Sequence, residues 1–160
     1  MGAGKTTIGR QVASELGLEF YDSDHEIEER TGVTITHIFD IEGEAGFRKR
    51  ETVMLDTLTA KKGIVLATGG GAILKAENRQ FLMSRGTTIY LYAGIDTLVE
   101  RTAKDRNRPL LQTEDPRAKL QELLDIRDPL YRETADIIID TGKDSVRLAL
   151  KEILDALQES

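Results

Sequence analysis

Lys5 and Thr6 close a run of small residues, M-G-A-G-K-T-T over residues 1–7, and that order of residue types suits the phosphates of a nucleotide. The full phosphate-loop pattern is Gly, four residues, then Gly-Lys-Ser/Thr. Gly4, Lys5 and Thr6 supply its last three positions, and Met1, Gly2 and Ala3 stand before them. Small residues let backbone N–H groups point at phosphate oxygens, and the helix that follows adds its own free N–H groups and its positive end. Lys5 would reach the β and γ phosphates, and the Thr6 hydroxyl would ligate Mg²⁺. Gly2, Ala3, Gly4 and Thr7 would complete the cradle. The first Gly of the pattern, and the strand that runs into such a loop, would precede Met1, so the chain is expected to be cut at its front. The plain alternative is a glycine-rich N-terminal tail.

Further groups suit the same chemistry. Asp22 and Asp24, in D-S-D, sit at the carboxyl end of a strand signal. Residues two apart on a strand face the same way. One carboxylate could hold Mg²⁺ through water, and the other could orient or deprotonate a hydroxyl. A polar helix cap remains open as the alternative. Gly69-Gly70-Gly71 directly follows an apolar run and would expose backbone N–H groups at the active edge of a parallel sheet, or form a tight turn. Arg48 lies in G-F-R-K-R-E, which also reads as a solvated helix face. Arg101, Lys104, Arg106 and Arg108 gather cations around one loop, as a phosphate clamp or lid would. Arg127, in R-D-P-L-Y, says less by itself. His25 and His37 are too few for a histidine metal site and read as surface residues.

The elements that must position these groups alternate. Ile8, Val12, Ala13 and Leu16 form the apolar stripe of a helix ending at Gly17. Leu18 to Asp22 reads as a strand, and Ser23 caps the helix after it, with Glu26 as reciprocal partner. Thr34 to Phe39 is a short helical piece. Glu42 to about Lys61 is a longer helix, with Phe47, Val53, Met54 and Leu58 as core contacts. Strand signals follow at Ile64–Ala67, Thr87–Tyr92 and Asp136–Asp140. Helices are expected near Ala76–Ser84, Ile95–Lys104, Ala118–Arg127 and Ser145–Leu157. This βα alternation predicts an α/β fold of three layers, with a parallel sheet between helices. Four strands are visible, and a fifth, central strand belongs with a phosphate loop. The mostly helical stretch between Asp24 and Gly63 is large enough for a substrate-binding insertion.

The 160 residues suit one domain, residues 1–160. A charged fraction of 31% and only three prolines give a globular profile. The net charge of −6 argues against a nucleic-acid surface. The chain has no cysteine, so neither a disulfide nor a thiolate metal site forms. No apolar run reaches the length of a membrane span, and the N-terminus has no apolar signal region.

Taken in order, these motifs resemble those of shikimate kinase, a small enzyme of aromatic amino-acid biosynthesis. The resemblance spans essentially the whole chain: M-G-A-G-K-T-T at 1–7, F-Y-D-S-D at 20–24, G-F-R-K-R-E at 46–51, A-T-G-G-G at 67–71, R-P-L-L at 108–111 and R-D-P-L-Y at 127–131. It implies a P-loop kinase fold of five strands, ATP and Mg²⁺, and transfer of a phosphoryl group to the 3-hydroxyl of shikimate. It implies that Asp24 binds the ring hydroxyls and serves as base or orienter, with Asp22 beside Mg²⁺. Arg48 and Arg127 would grip the substrate carboxylate, with Gly69, Gly70 and Gly71 lining the same pocket. Arg108 would be the lid arginine, within a lid at about 103–116, and Arg101 would lie against adenine. A cytoplasmic monomer is expected, with neither nucleic acid nor membrane as partner. A gluconate-type or nucleotide kinase is the alternative within enzymes, and a non-catalytic relative the alternative outside them. The cut phosphate loop further predicts that the chain as written is a poor or inactive kinase.

Overall fold

The computed structural model describes residues 5–103, 115–142 and 146–159. In chain order these form α1 (Lys5–Leu16), β1 (Glu19–Asp22), α2 (Ser23–Thr31), α3 (Ile35–Thr59), β2 (Ile64–Ala67), a short 3-10 helix (Gly70–Leu74), α4 (Ala76–Arg85), β3 (Ile89–Tyr92), α5 (Ile95–Thr102), α6 (Pro116–Thr134), β4 (Ile137–Asp140) and α7 (Val146–Glu159). β1 pairs in parallel with β2, Asp22 opposite Ala67, and β3 pairs in parallel with β4, Tyr92 opposite Asp140. The β1–β2 pair therefore ends at Asp22, one of the candidate residues.

Alternation along the strands divides the core between two faces. Val65, Ile89, Leu91, Ile137 and Ile139 pack with Ile8 and Val12 of α1 and with Ala149 and Ile153 of α7. Tyr21 and Leu66 point the other way, onto Ile27 of α2 and Ile38, Phe47, Met54 and Leu58 of α3. A third cluster joins α5 to α6 through Leu98, Leu120 and Leu123. The result is an α/β/α arrangement with parallel strands. It departs from the single sheet expected from the sequence. Among the described residues, β2 and β3 do not pair with each other. Between them lies a cavity of about 620 Å³, lined by Val65, Ile89 and Leu91 of the strands and by Ile8, Val12 and Ile153 of the helices. Where the sequence reading expects a central strand, the described residues leave this apolar space.

Several boundaries differ from expectation for identifiable reasons. Asp22, not Ser23, caps α2: its carboxylate accepts from the N–H groups of Asp24 and His25. The helix begins one residue earlier, so Ser23 is fully buried inside its first turn. The expected pieces at 34–39 and 42–61 are one kinked element, capped by Thr34 and bent at Gly43, whose φ of 73° favours glycine. Phe47, Met54 and Leu58 are buried as expected, but Val53, which lies on another face of the helix, is 60% exposed. Leu16, at the end of the α1 stripe, is also exposed. α6 continues through Pro129 to Thr134, past the expected end at Arg127. No helix of the described residues is long and apolar enough to cross a membrane.

Candidate functional site

The site is assembled around the turn after β2. A methyl group on Gly69 would stand 2.9 and 3.0 Å from the two carboxylate oxygens of Asp24 and 3.2 Å from Glu51 Oε2. A methyl on Gly71 would overlap the Arg48 guanidinium. Glycine at these two positions therefore lets backbone approach the charged groups closely. In place of the tight turn that the sequence left as the alternative, a 3-10 helix starts at Gly70, with Asn78 Nδ2 donating to the Ala72 carbonyl at 3.0 Å. Ser23 Oγ accepts from the Gly69 N–H at 3.4 Å, and the Tyr131 hydroxyl donates to the Gly70 carbonyl at 2.5 Å.

Two buried arginines converge here. Arg48 is 9% exposed and Arg127 is 3% exposed, so neither is the solvated cation that the local sequence allows. Arg48 donates from Nη1 to Glu51 Oε1 at 2.9 Å and from Nη2 to Glu44 Oε1 at 3.3 Å. Its guanidinium also lies over the Phe47 ring. Glu51 is wholly buried, and burial pushes its carboxyl up, opposed mainly by Arg48. Arg48 Nε, Arg127 Nε, Glu51 Oε2 and Asp24 Oδ1 are buried without a hydrogen-bond partner among the described residues. Buried donors and acceptors of this kind are costly unless something satisfies them. Two cationic donors beside two acceptors suit a small molecule with a carboxylate at one end and hydroxyls at the other.

Asp24 stands between this arginine and glycine cluster and Lys5 at the start of α1. It lies in the first turn of α2, not on β1, so the expected pairing of Asp22 and Asp24 on one strand face does not form. The two approach instead through the cap, Asp24 N–H donating to Asp22 Oδ1 at 2.9 Å. The other Asp22 oxygen accepts from the Thr6 hydroxyl at 3.1 Å, which ties α1 to the end of β1. Burial raises the Asp24 carboxyl above the usual Asp range; Lys5 opposes that rise, and Asp22 reinforces it. Thr6 and Asp22 thus form a hydroxyl and carboxylate pair of hard oxygen donors, which fits Mg²⁺ shared with phosphate and water better than a metal held by protein alone. Among the described residues no group of three or more His, Cys, Asp or Glu side chains forms a metal cage.

The other expected residues are dispersed or undescribed. Arg101 lies at the end of α5 and donates to Thr141 Oγ1 at 3.2 Å and to the Thr141 carbonyl at 2.7 Å. Thr7 lies in the first turn of α1. Gly2, Ala3, Gly4 and Arg108 lie outside the described residues, as does most of the lid at 103–116. The sequence reading passed over Glu44, Glu51 and Tyr131. Glu51 had a usable signal: Phe47, Glu51, Met54, Leu55 and Leu58 share one helical face, and all are buried. A carboxylate in phase with an apolar stripe needs a buried partner.

Comparison with known proteins gives one consistent answer. Residues 1–158 match the family described as shikimate kinase. The shikimate kinase of Methylococcus capsulatus is 59% identical over 160 residues, all of this chain and 89% of that relative. The structure of the shikimate kinase from Acinetobacter baumannii in complex with shikimate superposes with a TM-score of 0.97 at 56% identity, covering 99% of this chain and 89% of that one. The shikimate kinase structure from Aquifex aeolicus superposes with a TM-score of 0.83 at 34% identity, covering 99% and 92%.

Proposed function

Since the chain belongs to the shikimate kinase family, we infer that it is an ATP-dependent kinase that phosphorylates the 3-hydroxyl of shikimate to give shikimate 3-phosphate and ADP. The observation that carries the reading is the meeting of Asp24, Arg48, Glu51 and Gly69–Gly71 in one buried cluster, with partnerless polar atoms facing it. Arg48 and Arg127 take the substrate carboxylate, because a guanidinium fork matches two carboxylate oxygens. Gly69, Gly70 and Gly71 form the wall beside them. Asp24 accepts a hydrogen bond from the 3-hydroxyl and receives its proton as the oxygen attacks the γ-phosphorus. A new O–P bond forms, the bond to the bridging oxygen breaks, and ADP leaves.

Lys5 answers the charge on the transferred phosphoryl oxygens and opposes the rise that burial imposes on the Asp24 carboxyl. Thr6 and Asp22 would hold Mg²⁺, whose contribution when bound is to offset phosphate charge. Arg101 and Arg108 belong to the nucleotide side, Arg108 within a lid at about 103–116. Residues 24–63 act as the substrate-binding insertion. The test is ADP release from ATP with shikimate, gluconate and nucleoside monophosphates offered separately, with the product position fixed by phosphorus NMR. Turnover with shikimate alone, at the 3-position, supports the reading. Turnover with another acceptor and none with shikimate overturns it.

A further inference from the structure

Two parts of the acid-binding end arrive from unrelated places. The glycine turn comes from the end of β2, and Arg127 comes from α6. Tyr131 bridges them. It stands one turn after Arg127, so the two side chains share a helix face. Its hydroxyl donates to the Gly70 carbonyl at 2.5 Å. Its ring lies 4.7 Å from that of Tyr90 on β3, tilted by 39°. Tyr90 donates to Asp128 Oδ1 at 2.7 Å, and Arg132 Nε donates to Asp128 Oδ2 at 2.9 Å. Side chains in the turn that follows Arg127 thus fasten α6 to β3. This matters because Pro129, inside the helix, has no N–H for the Asp125 carbonyl.

The bond to Gly70 also has a direction. A trans peptide is planar, with its C=O and N–H pointing opposite ways. Holding the Gly70 carbonyl on Tyr131 therefore turns the Gly71 N–H away from α6. That N–H belongs to the first turn of the 3-10 helix, where no intrahelical acceptor serves it. Gly71 is also the residue whose α-carbon lies against the Arg48 guanidinium. Burial keeps the Tyr131 hydroxyl protonated and able to donate, although charge and hydrogen bonding from Arg127 partly oppose that effect.

We propose that Tyr131 is a positioning residue for carboxylate recognition: its hydroxyl fixes the glycine turn relative to Arg127 and aims the Gly71 N–H at the substrate's acid group. The proposal rests on the shikimate reading above and adds a residue to it. Tyr131→Phe keeps the ring and removes only the hydroxyl. Its KM for shikimate is expected to rise about fivefold, with the KM for ATP changed less than about twofold. In an Arg127→Ala background the same change should add little, because the two residues act on one group. A merely structural tyrosine would raise both KM values and give the same penalty in either background. Either that pattern or an unchanged KM in Tyr131→Phe overturns the proposal. Wild-type protein gives an independent measurement if the variant folds poorly: the amide proton of Gly71 should shift when shikimate is added, and a Gly71 signal that does not move overturns the proposal as well. A wild-type chain that neither turns over nor binds shikimate in calorimetry overturns the functional reading itself. Normal turnover with an unaffected Tyr131→Phe overturns only the role of Tyr131.

Discussion

The two ends of the site are built by opposite means. At the acid-binding end the charges are buried and braced by the protein itself: Arg48 lies between Glu44 and Glu51, and Arg127 is almost wholly enclosed. At the phosphate end Lys5 and Thr6 are only half-buried, at the start of α1, and the braces are the Thr6 hydroxyl on Asp22, which ties α1 to β1, and Asp22 on the first turn of α2. A rigid small acid can be recognised by side chains fixed in advance, since its carboxylate keeps one shape. A phosphoryl group in transfer changes charge and geometry, and on the reading proposed above Lys5, with the metal that Thr6 and Asp22 would hold, would meet it. Damage to the acid-binding end should therefore change which acceptor is used, and damage to the phosphate end should slow transfer to any acceptor. Asp24 stands where the two meet and should show both effects.

The largest effect is expected there. Asp24→Asn keeps the shape and removes the basic oxygen, so kcat should fall by roughly 10²–10⁴. Stability should move the other way. The Asp24 pKa is raised chiefly by burial, so the folded chain holds this proton more tightly than the unfolded chain does. That contribution is complete below the ordinary Asp value and is lost as pH rises through the raised one. Asparagine removes the buried charge, and the variant should melt higher than wild type near about pH 7, with the gain shrinking toward about pH 4. Paired melting curves and turnover numbers check this. A variant that melts lower at neutral pH would mean that the ionised carboxylate stabilises the fold, and the two ends would then not be separable at this residue.

Arg127→Ala comes next and belongs to one end only. In the role proposed for Arg127, the change would remove a desolvated charged hydrogen-bond pair with the substrate, worth roughly 2–5 kcal/mol. The specificity constant for shikimate should fall accordingly, while ADP titration gives an affinity close to that of wild type. Weakened ADP binding of similar size would break the comparison, because it would make α6 a shared support. Gly71→Ala attacks the same end through the backbone. The new methyl overlaps the Arg48 guanidinium and must displace it from Glu51. A KM for shikimate raised about tenfold, with a smaller change in the KM for ATP, is the expected result.

The parts legible in the sequence were those written in local residue types. Lys5 and Thr6, the D-S-D of Asp22 and Asp24 and the three glycines stand out because glycine, lysine and paired carboxylates have few other reasons to occur in such order. The strands were legible as short apolar runs. What failed was the choice of face within α3: Phe47, Met54 and Leu58 share the buried face, Glu51 lies on it, and Val53 lies off it. Ser23 and Asp22 are both good caps, and only the end of strand pairing at Asp22–Ala67 decides between them. The expected end of α6 at Arg127 is overrun through Pro129 to Thr134, where Asp128 and Tyr131 contact Tyr90 of β3. The contact of Tyr131 with Gly70 joins two elements, which spacing along one element does not reveal.

The smallest expected effect has the opposite sign to the others. Arg48 has two carboxylate neighbours of unequal standing. Glu51 is fully buried and sits 2.9 Å from Nη1, whereas the Glu44 side chain is 49% exposed and sits 3.3 Å from Nη2. An i,i+4 pair as exposed as the second contributes only about 0–1 kcal/mol, much of it screened by solvent. Its more important effect is competition, because a substrate carboxylate that seeks Nη2 must displace Glu44. Glu44→Gln should therefore lower the KM for shikimate by about twofold and shift the melting temperature by no more than about 2 °C. Glu51→Gln should raise the KM instead, because Arg48 loses the partner that fixes its direction. Steady-state kinetics on the two variants, side by side, separate a competitor from a brace. If both substitutions raise the KM, Glu44 also orients Arg48, and the bracing of the acid-binding end extends to its exposed rim.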